Sequence, residues 1–198
     1  MQPQNRAVMN TVSTVKRILL YFTHDGLIGI TPHIMNFYME RNHMDFGTCF
    51  LQPLTEKTAL EISQWEYEEP YRVYSFKGHH NGYLFDSKAW GTEQFALCQV
   101  EKIIGQVACQ FDSDRLWCGW SLAPEYCGKG NGHLFVNQCV QEIRKVKQYR
   151  NKIYLRVAVS NKRAVRAYQK AGFVYSETIL DEIAYSGHME DFWIMVKE

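Results

Sequence analysis

The sequence predicts a single α/β layered domain, and three observations carry that expectation. β-Rich runs follow one another through the middle and C-terminal parts of the chain, with only a few helical patterns between them. From Ile153 to Leu180 a strand, a capped helix, a glycine stop and a second strand can be read without interruption. No internal repeat or low-complexity tract competes, and 198 residues with 46% hydrophobic and 22% charged content suit one globular core.

Taken in order, Phe46 to Leu51 reads as the first strand. Thr55 caps a helix running to about Trp65, with Ala59, Leu60 and Ile62 on its buried side and Pro70 as its stop. Phe95 to Glu101 and Ile103 to Phe111 form an antiparallel hairpin, and Leu116 to Leu122 is the strand that follows. A helix after residue 132 buries Phe135, Cys139, Val140, Ile143 and Val146 at near three-four spacing. Ile153 to Val159 is a strand; Asn161 caps a helix carrying Ala164, Val165, Tyr168 and Ala171; Gly172 ends it in a left-handed cap, and Phe173 packs back. Phe173 to Leu180 and Phe192 to Val196 complete the sheet, with Phe192, Ile194 and Val196 on one face.

Between the strand at Leu122 and the helix after it lies the segment richest in chemistry, Pro124-Glu-Tyr-Cys127-Gly-Lys-Gly130-Asn-Gly132-His133. Gly128, Gly130 and Gly132 let the backbone turn tightly and bring N–H groups close to an anion. The following helix points its positive dipole end at the same place, so the segment reads as a diphosphate cradle. It is not a Walker loop, because Lys129 precedes Gly130 and no hydroxyl is placed to hold magnesium. Nor is it a dinucleotide fingerprint, since the glycines alternate strictly.

The segment Cys127-Gly-Lys-Gly130-Asn-Gly132 resembles the Gln/Arg-x-x-Gly-x-Gly/Ala loop of the GNAT superfamily of N-acetyltransferases, with Cys127 departing from the usual Gln or Arg. Asn161-Lys-Arg-Ala164-Val-Arg-Ala-Tyr168-Gln-Lys-Ala171-Gly172-Phe173 is similar to that family's second signature, Asn-x-x-Ala-x-x-x-Tyr-x-x-x-Gly-Phe. The two stand in the family's order over roughly Phe46 to the C-terminus. The resemblance implies a mixed, mostly antiparallel central sheet, helices on both faces, and a splay between the fourth and fifth strands. It implies acetyl-CoA as acyl donor and direct transfer to a primary amine of a small molecule or peptide. The donor's pantetheine arm is then expected on the main chain of Trp120, Ser121 and Leu122. Its pyrophosphate is expected on Gly128, Lys129, Gly130, Asn131, Gly132 and His133, and Asn161 is expected near its reactive end.

By the same resemblance Tyr168 is the general acid for the departing thiolate; a phenol of pKa near ~10 holds its proton at neutral pH. Taken without the family, Tyr168 is a core residue completing the stripe with Ala164 and Val165. In the ribosomal-protein N-terminal acetyltransferases of this fold a glutamate serves as base five residues before the motif Asn. Here that position is Arg156, which cannot accept a proton. Glu68 and Glu69, with Glu66, are the substitutes, interleaved with Trp65, Tyr67 and Tyr71 in a pattern suited to a cationic amine. The competing reading is a solvated acidic turn with its aromatics in the core.

Other features carry less. His79-His80 reads as a polar loop, because adjacent strand residues face opposite ways and do not share a metal. Cys127 reads as a small loop residue rather than an acyl carrier, and Lys162, Arg163 and Arg166 as either a solvated face or a nucleotide-phosphate contact. A net charge of +1 makes no electrostatic case for nucleic acid or an anionic membrane. Six cysteines without a Cys-x-x-Cys pair suit reduced thiols in a cytoplasmic protein, and no metal is expected. No targeting segment or membrane span is legible.

Residues 1–45 carry no motif. They read as an extension packing on the domain or on a partner subunit, as in a homodimer, as a loose tail, or as a stretch upstream of a start at Met39 or Met44. Residues 46–198 are the catalytic domain in this reading. Its rival is a non-catalytic acyl-CoA-binding sensor or assembly module on the same fold.

Overall fold

The computed structural model of the chain describes residues 45–79, 81–183 and 188–198, with the backbone of 22–23 and 26–27. Two units are distinguished, Met1–Arg41 and Asn42–Glu198. In the first, Phe22–Thr23 pairs antiparallel with Gly26–Leu27. By sequence, Thr14 to Phe22 could make a helix and Ile34 to Met39 another short one; both stretches lie outside the described residues, except for Phe22, which belongs to that ladder.

In the second unit a seven-stranded sheet runs β1 (Phe50–Pro53), β2 (Gln94–Gln99), β3 (Lys102–Asp112), β4 (Arg115–Leu122), β5 (Ile153–Ala158), β7 (Met189–Lys197), β6 (Val174–Glu182) across its width. Every pairing is antiparallel except that of β4 with β5. Among the described residues three α-helices accompany it: α1 (Glu56–Ser63), α2 (Gly132–Lys147) and α3 (Lys162–Lys170). The alternation of the strands separates two cores. On β2, Phe95 and Leu97 join the α2 and α3 side, with Phe135, Cys139, Ile143, Val165 and Phe173. Ala96 and Cys98 turn to the opposite side, with Ala59 and Ile62 of α1 and Trp65.

The β4–β5 pair positions the site. Its register covers only Leu116 with Ile153 and Trp117 with Tyr154, and beyond those residues the two parallel strands part. α2 follows β4 and α3 follows β5, so both helices start at the open end of this wedge. Gly132, at the first residue of α2, lies so close to α3 that an added Cβ would sit 3.1 Å from Ala167 Cβ. Gly105 of β3 admits the Phe135 ring of α2 in the same way: a Cβ there would come within 2.6 Å of its Cζ.

Local signals hold at the caps. Thr55 and Thr58 exchange side-chain and backbone bonds in a capping box, and Asn161 Oδ1 accepts from the Ala164 N–H at 3.1 Å. Gly172 has φ +88°; its N–H donates to the Gln169 carbonyl and that of Phe173 to Tyr168, the double bond of a Schellman stop.

Four expectations are corrected. Phe46–Thr48 is a 3₁₀ turn, not strand, because Asp45 accepts from the Gly47 N–H and curls the chain before β1. α1 ends at Ser63, well before Pro70, as Trp65 leaves the helix axis to bury itself edge-on against Phe76. Leu60 is 52% exposed, since the buried face of α1 is Ala59, Ile62 and Ser63. Val146 is 47% exposed, because the stripe of α2 follows Val136, Cys139, Val140 and Ile143 and leaves the last turn at the rim.

Candidate active site

The chain from β4 to α2 explains itself residue by residue. Pro124–Tyr126 makes one 3₁₀ turn, closed by the N–H groups of Tyr126 and Cys127 onto Ala123 and Pro124. Gly128 and Gly130 then take φ +75° and +79°, conformations costly to any residue with a Cβ. Main-chain bonding resumes only when Leu134 and Phe135 donate to the Asn131 carbonyl. Among the described residues, no main-chain carbonyl accepts from the N–H groups of Gly128, Lys129, Gly130, Gly132 and His133. Those groups stand at the dipole end of the 16-residue α2, an arrangement fitted to an anion. Lys129 brings its ammonium 5.8 Å from the Tyr126 ring centroid, and His133 Nδ1 is buried without a hydrogen-bond partner.

The phase of the β3–β4 ladder decides which β4 groups face the wedge. Ala123 N–H donates to Ile104, and Gly105 stands opposite Leu122, Gln106 opposite Ser121 and Val107 opposite Trp120. Antiparallel strands bond at alternate residues, so Ser121 turns its main-chain groups to Gln106 while Trp120 and Leu122 turn theirs toward β5. The Leu122 carbonyl accepts a 2.9 Å bond from the Tyr67 hydroxyl.

Tyr168 stands beside Trp120 and Phe173, its ring centroid 6.1 and 6.0 Å from theirs. Burial pushes its phenol well above the ordinary value, opposed by the neighbouring Trp120 indole. Trp120 Nε1 is itself buried and makes no hydrogen bond of normal geometry. A buried N–H donor beside a buried phenol is fitted to stabilise the phenolate that proton donation would leave.

The segment after α1 reaches the same region through Tyr67, whereas Glu68 and Glu69 are exposed. Glu69 lines an open cavity of about 370 Å³ with Glu66, Arg72, Lys77 and His79. Glu66 is paired with Lys77 at 2.9 Å and Arg72 at 2.5 Å, and these cations hold its carboxyl below the usual range. Arg163 of α3 stacks 4.1 Å from the Tyr71 centroid and 6.0 Å from that of Tyr67. Arg156, on the sheet face away from α2 and α3, pairs with Asp181 of β6. Cys127 contacts the Leu122 and Ala123 carbonyls at 3.6 and 3.7 Å, and burial raises its thiol pKa, the opposite of nucleophile activation. His80 lies outside the described residues. Among the described residues no group of three or more His, Cys, Asp or Glu could hold a metal.

Sequence reasoning did not find the Tyr67–Leu122 bond, the Arg163 stack or the unpaired Trp120 indole. Each depends on residues far apart in the chain and has no local signal.

Residues 57–173 match the acetyltransferase (GNAT) family. Over 70 residues the chain is 34% identical to the spermidine N(1)-acetyltransferase of Vibrio cholerae; the match spans 35% of this chain and 40% of that relative, under half its length. Among solved structures, the Vibrio cholerae spermidine N-acetyltransferase in complex with CoA and spermine aligns at TM-score 0.56 and 23% identity, over 76% of this chain and 95% of that one. The aminoglycoside acetyltransferase AAC(6')-Ib with coenzyme A aligns at 0.58 and 20%, over 75% and 94%. A GNAT-family acetyltransferase from Bacillus anthracis aligns at 0.59 and 12%, over 76% and 94%. The fold is theirs, and with the family match spanning more than half of its length the chain belongs to the acetyltransferase (GNAT) family.

Proposed function

We propose that this GNAT-family chain transfers the acetyl group of acetyl-CoA to a primary amine of a small molecule, by direct attack within a ternary complex. One observation carries the reading: among the described residues, the main-chain amides of Gly128, Lys129, Gly130, Gly132 and His133 meet no main-chain carbonyl, and they lie at the head of α2 beside two parallel strands that part after two residue pairs. Bound acetyl-CoA supplies the activated thioester. The amides of residues 128–133, with Lys129 and His133, hold its pyrophosphate, while Trp120 and Leu122 offer main-chain groups to its amide-bearing arm. Ser121 holds β4 to β3. Asn161, at the head of α3, faces the donor near its reactive end.

Tyr168 keeps its proton to the end of the reaction and delivers it to the departing thiolate, and the Trp120 N–H steadies the phenolate left behind. Of the carboxylates, Glu68 and Glu69 have no ion pair among the described residues and are exposed to an incoming amine, and they receive its proton directly or through water. Arg156, held by Asp181, takes no part in that step. The catalytic unit is residues 46–198. Six free cysteines, five of them buried, support a reducing compartment, for which we take the cytoplasm, and a homodimer is the assembly to test first. No helix among the described residues is long and apolar enough to cross a membrane.

Thiol release from acetyl-CoA is measured over a panel of primary amines headed by spermidine and other polyamines, with calorimetry of CoA binding. Turnover with at least one amine, lost in Tyr168→Phe while CoA still binds, supports the assignment. CoA binding without turnover on any amine favours the non-catalytic sensor. No affinity for CoA or its thioesters removes both readings.

A further inference from the structure

The segment after α1 enters the wedge that the donor's arm is proposed to fill. Beyond Trp117 and Tyr154 the wedge is open, so the Leu122 carbonyl, turned toward β5, has no strand partner. Tyr67 takes that place: its hydroxyl donates to the carbonyl at 2.9 Å, and the residue is only 7% exposed. Its own N–H is tied to Ser75 Oγ at 2.9 Å, which makes residues 67–75 a closed loop behind the phenol. From the far side Arg163 of α3 stacks on Tyr71 and Tyr67. The loop thus spans the mouth of the wedge, from the end of β4 to the first turn of α3.

We propose that Tyr67 is a positioning residue that holds the place of the donor. On binding, an amide N–H of the acetyl-CoA arm displaces the Tyr67 hydroxyl from the Leu122 carbonyl, and the freed Tyr67–Tyr71 segment then forms the acceptor side of the cleft. The proposal rests on the donor reading above. The exchange balances: one hydrogen bond to the carbonyl is broken and one is made, and the phenol keeps its proton. Burial favours this, since it pushes the Tyr67 phenol well above its ordinary pKa and keeps it a neutral donor. Order of addition follows. The amine finds its side of the site complete only after acetyl-CoA has released the loop, so the donor binds first.

Tyr67→Phe retains the buried ring and removes the competing hydroxyl, together with its interaction with the Ser121 side chain. A hydrogen bond of this kind contributes ~1 kcal/mol net, so CoA should bind the variant about fivefold more tightly by calorimetry. The ligand-free variant should melt below the wild type, while the CoA-saturated proteins melt together. A structural role would not move CoA affinity upward. In the wild type, saturating CoA should speed hydrogen exchange at the amides of residues 67–76, and inhibition patterns ordered in the wild type should become random in the variant. Unchanged or weakened CoA binding by the folded variant, or unaltered exchange in that loop, overturns the proposal while leaving the donor reading standing. Failure of the wild type to bind CoA removes the donor reading itself, and the two failures are thereby distinguished.

Discussion

Tyr168 and Cys127 both carry reactive hydrogens near the wedge, and burial acts on both in the same direction. For Tyr168 the raised pKa keeps the phenol protonated through the alkaline range, and its acidity in the reaction then depends on the Trp120 N–H beside it. Tyr168→Phe is expected to lower kcat by about 10²–10⁴-fold with little change in CoA affinity, measured by thiol release and calorimetry. The folded-state pKa lies above the unfolded value of ~10, so the contribution of this phenol to stability is complete below pH ~10 and is lost as pH rises beyond it. The Phe variant should lack that share of the alkaline decline. For Cys127 the same shift means a sluggish thiol. Cys127→Ala is expected to keep kcat within about twofold, and a burst of acetyl-enzyme from the wild type by rapid-quench mass spectrometry would contradict direct transfer.

At the scale of elements, the site depends on how α2 lies against the sheet. Gly105 of β3 permits Phe135 to approach, and Phe135 stands in the first turn of α2, just after the amides of the glycine loop. Gly105→Ala forces that ring, and the head of the helix with it, away from the strand. Overpacking of this kind costs about 1–3 kcal/mol, which chemical denaturation would read, and CoA affinity should fall in parallel because the loop moves with α2. Much of this level was legible beforehand. The caps at Thr55, Asn161 and Gly172 are local hydrogen-bond patterns, and each forms where its residues stand. The turn at Phe46 is set locally by Asp45, whereas the misreadings at Leu60, Trp65 and Val146 share one cause. Whether an apolar side chain near an element's end is buried depends on what packs there, as Trp65 against Phe76 illustrates.

For the whole molecule, the proposed donor bridges parts that are separate in sequence: the end of β4, the glycine loop and the first turns of α2 and α3. Binding should therefore stabilise the fold as a unit. At a hundredfold excess over its Kd, CoA should add ~2.7 kcal/mol and raise Tm by roughly 5–10 °C in scanning calorimetry, and an unchanged Tm at saturation would contradict a native-state site.

The order of strands and helices, the glycine turns of residues 128–133 ahead of α2 and the capped helix carrying Tyr168 were determined by the sequence itself. Each rests on residues within a few positions of one another, where glycine conformations, caps and side-chain spacing act. Only the tertiary structure decided that Trp120 and Leu122, and not Ser121, face the wedge, since that follows from the register of β3 on β4. It likewise decided that Tyr67 closes on Leu122, 55 residues away, and that Arg156 is bound to Asp181. Register and contacts across such distances arise when separate faces pack together, and no local pattern of residues encodes them.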